Sequence, residues 1–240
     1  MIYIPPLRGF VRTFIFICVA VFVLQQFALH GPFGGTFRYS EFIKFFGLVP
    51  EMLFKGMIFQ PITWIFLHGS FSHLLFNMLG LWMFGSLLED VWGTKRFMRF
   101  IFLAGALTGI LVGCFGLFDP YSYSLPTIGA SGVVFAVLVA VSRMFPNQVV
   151  LFFFVFPMKM KYFAYLMIAL EFYALYTSNE QGISNIAHLS GAAVGYFLSR
   201  GGPGNFKIAN WWRNLQDRWH QRRMRKKLRI IRVNEKTTYH

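Results

Sequence analysis

Ser131, His188, His73 and Asn77 are the residue types that acyl-transfer chemistry needs. A serine hydroxyl is a weak nucleophile until a neighbouring base takes its proton, and an imidazole is well suited to do so. Ser131 lies in Gly129-Ala130-Ser131-Gly132, and His188 in Ala187-His188-Leu189-Ser190-Gly191. Gly129 and Gly132 flank the serine at a turn entering a helix, where backbone N–H groups and the positive dipole end favour an oxyanion. His73 and Asn77, four residues apart, share one helical face and can add side-chain donors to that oxyanion. Glu171 lies mid-way along another apolar stretch and is no clear third member, so a Ser–His dyad is the expected unit. The chemistry calls for no metal and no cofactor.

These residues are embedded in apolar sequence, and the elements that carry them follow from a length argument. A hydrocarbon core about 30 Å thick needs roughly 20 apolar residues in a helix. Stretches of this kind run over 13–29, 72–88, 97–117, 131–142, 161–176 and 184–198. They predict an all-α, polytopic membrane protein with six spans. Arg8 and Arg12 precede the first stretch as they would a signal peptide, but no small-residue cleavage site follows, and a retained helix is expected. The apolar run Val149–Phe156, bounded by Pro146 and Pro157, is too short to span and is expected at an interface or lip.

Depth then brings the polar residues together. Asn77 is twelve residues from Glu89, Ser131 twelve from Arg143, and His188 twelve from Arg200, each of these charges marking an inner helix end. At 1.5 Å per residue all three lie about 18 Å above the inner boundary, hence about 12 Å below the outer surface. His73 is one turn nearer that surface. Gly191, Ala192 and Gly195 give His188's helix a small-residue face of the kind that lets membrane helices approach closely. Taken singly, a Gly-x-Ser-Gly, a membrane histidine or a His-x-x-x-Asn is ordinary helix-packing material. Their conjunction at one level is what points to catalysis.

Composition agrees. Charged residues make up 13% of the 240, half the usual share of a soluble domain (about 25%), while hydrophobic residues make up 56%. The formal net charge is nevertheless +14. With the N-terminus on the inside, only Arg38, Lys44 and Lys55 of the 23 cations fall outside, which places both termini in the cytoplasm. Twelve cations lie beyond Leu198. This divides the chain into a membrane domain, 1–200, and a basic cytoplasmic tail, 201–240, entered through Gly201-Gly202-Pro203-Gly204. Trp211, Trp212 and Trp219 interleave with the tail's cations, a pattern that directly after a span suits anionic lipid headgroups rather than nucleic acid. Cys18 and Cys114 each sit in an apolar run and are expected to be packing residues. Soluble enzyme, disordered chain and disulfide scaffold are poor fits, and the lack of an internal repeat weakens a duplicated transporter.

The Gly129–Gly132 motif, Ala187–Gly195 (AHLSGAAVG) and His68–Asn77 (HGSFSHLLFN) together resemble the rhomboid intramembrane serine proteases, in the family's order and over about 13–198. That resemblance implies a six-helix rhomboid-like bundle in a membrane such as the bacterial inner (plasma) membrane, and hydrolysis of peptide bonds in or near transmembrane segments of single-span or other membrane-protein substrates. It implies Ser131 as nucleophile and His188 as base, with His73, Asn77 and the Ser131 N–H as oxyanion hole. His68 would support the cavity and its water, and Phe135 would pack against the base. Glu89 with Trp92-Gly93 resembles the family's second-helix ending. The stretch 30–67 would be the membrane-embedded first loop, although the Trp-Arg pair that some rhomboids carry there is missing. A catalytically silent binding protein on the same fold, or a channel lined by the same polar residues, are the competing classes.

Overall fold

In a computed structural model the structure describes residues 5–30, 35–152, 155–177 and 182–199; the tail 201–240 lies outside them. All six apolar stretches are helical. Helix α1 is Gly9–His30, and a short succession, α2 (Thr36–Phe46), α3 (Pro50–Phe54) and α4 (Gln60–Thr63), follows it. The second long helix, Phe71–Trp92, is built from α5 (Phe71–Gly80), a π-helical turn (Leu81–Gly85) and α6 (Ser86–Trp92). Next come α7 (Thr94–Gly116), the short α8 (Pro120–Tyr123), α9 (Ser131–Met144), α10 (Met160–Thr177) and α11 (Gly182–Leu198). Gly9–His30, Phe71–Trp92 and Thr94–Gly116 are long and apolar enough to cross a membrane, and Ser131–Met144 is a shorter apolar helix. The chain is an integral membrane protein.

The run expected at an interface or lip takes part in an antiparallel hairpin, β1 (Val149–Phe152) with β2 (Phe156–Lys159), registered Val149 to Lys159 and Leu151 to Pro157. Its β-branched and aromatic residues favour extended backbone, and Pro157 is tolerated because the ribbon has only edges. Cys18 is buried as expected, whereas Cys114 is exposed on α7 and packs into no core.

α9 is the central element, with Val133, Ala136, Val137, Ala140 and Val141 fully buried. Its closest partner is α11, and glycine decides how close. A β-carbon at Gly191 would lie 2.0 Å from the Gly132 carbonyl oxygen, and one at Gly195 would lie 2.4 Å from that of Ala136. The two backbones therefore touch over two successive turns, the small-residue packing expected of membrane helices. At the far end of the pair, Arg143 on α9 donates to Tyr196 O at 2.7 Å and Ser199 Oγ at 2.8 Å. The first of these bonds satisfies a carbonyl group near the end of α11, where the helix leaves such groups unpaired.

The first loop is fastened without a Trp-Arg pair. α7 presents Gly105, Gly109, Gly113 and Gly116, and against these lie Ile65, Pro61 with Trp64, Leu53 and Pro50 respectively. Trp64 is fully buried and its indole N–H points at both Pro61 O (3.0 Å) and Gly105 O (3.3 Å). Within the loop the buried Gln60 amide accepts from Val49 N at 3.0 Å and donates to Lys44 O at 2.8 Å. Gln25 of α1 exchanges two 3.1 Å bonds with the backbone of His68.

Glu89 closes the remaining end. Its buried carboxylate accepts from Phe10 N (2.7 Å) and Val11 N (2.9 Å), the orphan donors of α1's first turn, and from Thr94 Oγ1 (2.7 Å). Glu89→Ala strands those donors and is expected to cost about 1–3 kcal/mol, visible as a lower thermal midpoint in detergent. Gly195→Val forces α9 and α11 apart and is expected to cost about 1–3 kcal/mol by overpacking. An unchanged midpoint in Gly195→Val would mean that the two backbones are not in contact.

Candidate active site

The site is assembled at the start of α9. Just before the helix, Leu48 and Thr127 exchange backbone bonds of 2.9 and 2.8 Å, and Gly129 N–H donates to Trp64 O at 3.0 Å. The turn that presents Ser131 is thus held by the first loop, which is itself seated on α7. Gly129 has φ +124°, a conformation side chains rarely adopt, and a β-carbon there would lie 2.7 Å from the His73 ring. Glycine here both permits the turn and leaves room for the imidazole.

Ser131 Oγ lies 2.7 Å from His188 Nε2, the short contact a nucleophile–base pair requires. Phe135, one turn after Ser131, stacks on the His188 ring with centroids 4.7 Å apart and planes 9° from parallel. Stacking fixes the ring plane, and the backbone contact at Gly191, one turn beyond His188, fixes its height along α9. The 57-position separation of serine and histidine in sequence is bridged by helix packing.

His73 reaches the same turn from α5. His73 Nδ1 accepts from Gly69 N–H at 3.4 Å. A neutral His73 therefore carries its hydrogen on Nε2, the atom against Gly129. Ser70, the N-cap of α5, holds the His73 backbone N–H at 3.1 Å, so the first turn of that helix is fixed. Asn77 is buried, and its amide nitrogen has no hydrogen-bond partner. A buried donor with nothing to donate to costs about 1–3 kcal/mol, and such groups recur where a reaction will supply the acceptor. His73 and the N–H groups of α9's first turn, which have no carbonyl one turn earlier, make an anion-seeking corner beside Ser131 Oγ.

His68 is fully buried, and its ring meets that of His73 edge-on with centroids 5.2 Å apart. Burial foremost, then the neighbouring His73, pushes its pKa down to about 4. Its Nδ1 faces Phe66 O at 3.2 Å and so bears the hydrogen, which leaves a lone pair on a buried, unpartnered Nε2. His68 lines the site from behind His73 and does not reach Ser131.

Of the residues singled out in the sequence, Ser131 and His188 meet directly, Phe135 stacks on His188, and His73 lies against Gly129. Gly132 and Gly191 form the backbone contact beside them, Gly195 meets Ala136 further along, His68 packs on His73, and Asn77 is buried on α5. One neighbour stood apart in the sequence and does not in the fold. Glu171 on α10 brings Oε2 to 2.9 Å from His188 Nδ1, close but off the line of the ring N–H. The signal available beforehand was its position, eleven residues into α10 and therefore about 16 Å along it, a level similar to that of Ser131.

The chain is also similar to known proteins. The Rhomboid domain family model matches residues 55–202. The chain is 32% identical over 126 residues to rhomboid protease GluP of Bacillus subtilis, covering 52% of this chain and 23% of that protein. It is 40% identical over 96 residues to the mitochondrial Rhomboid protein 1 of Saccharomyces cerevisiae, covering 38% of this chain and 26% of that one. The chain thus spans about a quarter of the length of these two relatives. With the putative rhomboid protease YdcA of Bacillus subtilis it shares 30% identity over 147 residues, 60% of this chain and 67% of that protein. A family model covering more than half of the chain, a relative matched over two thirds of its length and a membrane-helix fold carrying the motifs lead to one assignment: this chain belongs to the rhomboid family.

Proposed function

We propose that the chain is an intramembrane serine endopeptidase that cuts membrane-protein substrates in or near their transmembrane segments. The single observation that carries the proposal is the 2.7 Å contact between Ser131 Oγ and His188 Nε2 at the N-terminus of an apolar helix. The steps follow from the geometry. A helical peptide bond is shielded by its own hydrogen bonding, so the substrate must unwind locally. Ser131 Oγ then attacks the exposed carbonyl carbon while His188 Nε2 takes its proton. Negative charge grows on the carbonyl oxygen and is met by His73 Nε2–H, Asn77 Nδ2 and the Ser131 backbone N–H. His188 returns the proton to the leaving amine, the C–N bond breaks and an acyl-serine remains. Water, deprotonated by the same imidazole, releases the acid and restores the serine.

The wider setting is part of the same proposal. The six long helices all cross the bilayer, both termini face the cytoplasm of a bacterium, and the membrane domain ends near 200. The basic tail beyond it rests on anionic lipid. Supporting this are the charge asymmetry and the distance of the Ser131 corner from the Arg143 end of the bundle.

The deciding experiment is cleavage of a panel of single-span substrates by wild type beside Ser131→Ala, with fluorophosphonate labelling of Ser131 and of His188→Ala. Ser131→Ala is expected to be inert and His188→Ala unlabelled; full processing by Ser131→Ala would point to a silent binding protein instead. Asn77→Ala is expected to lower kcat on the order of 10²-fold, as removal of one oxyanion donor does elsewhere. Gly129→Ala, which drives a methyl group into the His73 ring, is expected to lower kcat with little change in KM.

A further inference from the structure

We propose that Glu171 is a positioning residue for His188, extending the Ser131–His188 dyad of this chain into a carboxylate–imidazole–serine relay. The inference rests on the serine-protease proposal and deepens it. Three observations converge. Glu171 Oε2 lies 2.9 Å from His188 Nδ1, on the opposite side of the ring from the 2.7 Å contact to Ser131 Oγ. Both side chains are largely withdrawn from solvent, with exposures of 20% for His188 and 15% for Glu171. The carboxylate is itself placed by the helix that carries His188. In the amide orientation that satisfies both its ends, Asn185, one turn before His188 on α11, donates to Glu171 Oε2 at 3.1 Å and accepts from Leu175 N at 3.1 Å. One carboxylate oxygen thus faces two donors from successive turns of α11, which its lone pairs can serve together.

The physical need is specific. For Nε2 to accept the serine proton, neutral His188 must carry its own hydrogen on Nδ1, and only an acceptor on that side selects the tautomer. When the proton is taken, a positive imidazolium forms at a depth where an unpaired charge is expensive. The groups facing the ring are Ser131 on α9, Phe135 on α9, His73 on α5 and Glu171 on α10; Glu171 is the one anion among them. A carboxylate within a membrane helix is costly and calls for a partner. Aligning the Nδ1–H with Oε2 needs a small adjustment of the ring or of the Glu171 side chain, of the kind that substrate binding brings about in catalytic hydrogen bonds.

The test uses the full chain reconstituted in lipid, with a single-span substrate that wild type cleaves, and Glu171→Gln and Glu171→Asp beside Ser131→Ala. Glu171→Gln is expected to lose at least about tenfold in kcat with KM and thermal midpoint unchanged, the signature of a lost transition-state interaction. Ser131 labelling by a fluorophosphonate, which needs no substrate, should slow in parallel. Glu171→Asp keeps the charge and should recover part of both, and it carries the test if the glutamine variant is too unstable to purify. Glu171→Gln turning over within about twofold of wild type, or losing activity only through KM or through a lowered midpoint, overturns the relay while leaving the protease standing. Ser131→Ala cleaving like wild type overturns the protease, and the relay with it.

Discussion

The contact between the backbones of α9 and α11 is the constraint on which the rest depends. A serine and a histidine on separate helices meet at 2.7 Å only if the helix axes come closer than ordinary side chains permit. Gly191 against Gly132 and Gly195 against Ala136 provide that approach. Within a bilayer no hydrophobic force draws two helices together, because lipid tails are as apolar as leucine. Close packing and the polar bonds at the ends, such as Arg143 to the last turn of α11, must do so instead. The Ser131–His188 geometry is therefore a by-product of the same contact that holds the bundle.

A second layer of support comes from the first loop. Its fastening on the α7 glycines positions Trp64, and Trp64 O holds Gly129 N–H, one step from the nucleophile. The loop is thus connected to the serine turn through backbone bonds, and to α1 through Gln25. Buried amide side chains, Gln25 and Gln60, do the work of loop anchors because each can give and accept at once, which suits a segment whose backbone groups have few partners in an apolar setting.

How much of this was legible in the sequence depended on whether the signal was local. The six helices appear within a few residues of the apolar stretches, since hydropathy is read off the chain directly. The pairing of Ser131 with His188 was legible because both sit in short motifs on apolar helices, at similar counts from a charged helix end. Glu171 was undervalued because its partner lies on another helix and facing cannot be counted from one helix alone. The hairpin at 149–159 was missed because its apolar run reads the same whether buried, interfacial or paired. Cys114 looked like a packing residue because membrane-facing and core-facing apolar positions are compositionally alike. The expectations for the basic tail, 201–240, fall outside the described residues.

One feature of α9 has a consequence of its own. At fourteen residues the helix is about 21 Å long, some 9 Å short of a typical hydrocarbon core. It is a case of hydrophobic mismatch built into a single element. In the proposed placement, with Arg143 at the inner boundary, the missing turns leave the helix's positive end inside the membrane. The depth of Ser131 is then the host bilayer's thickness less a fixed helix length. In that placement a thicker membrane lengthens the path that water must travel to Ser131, and a thinner one shortens it, ångström for ångström. The lipid is in this sense one wall of the proposed site.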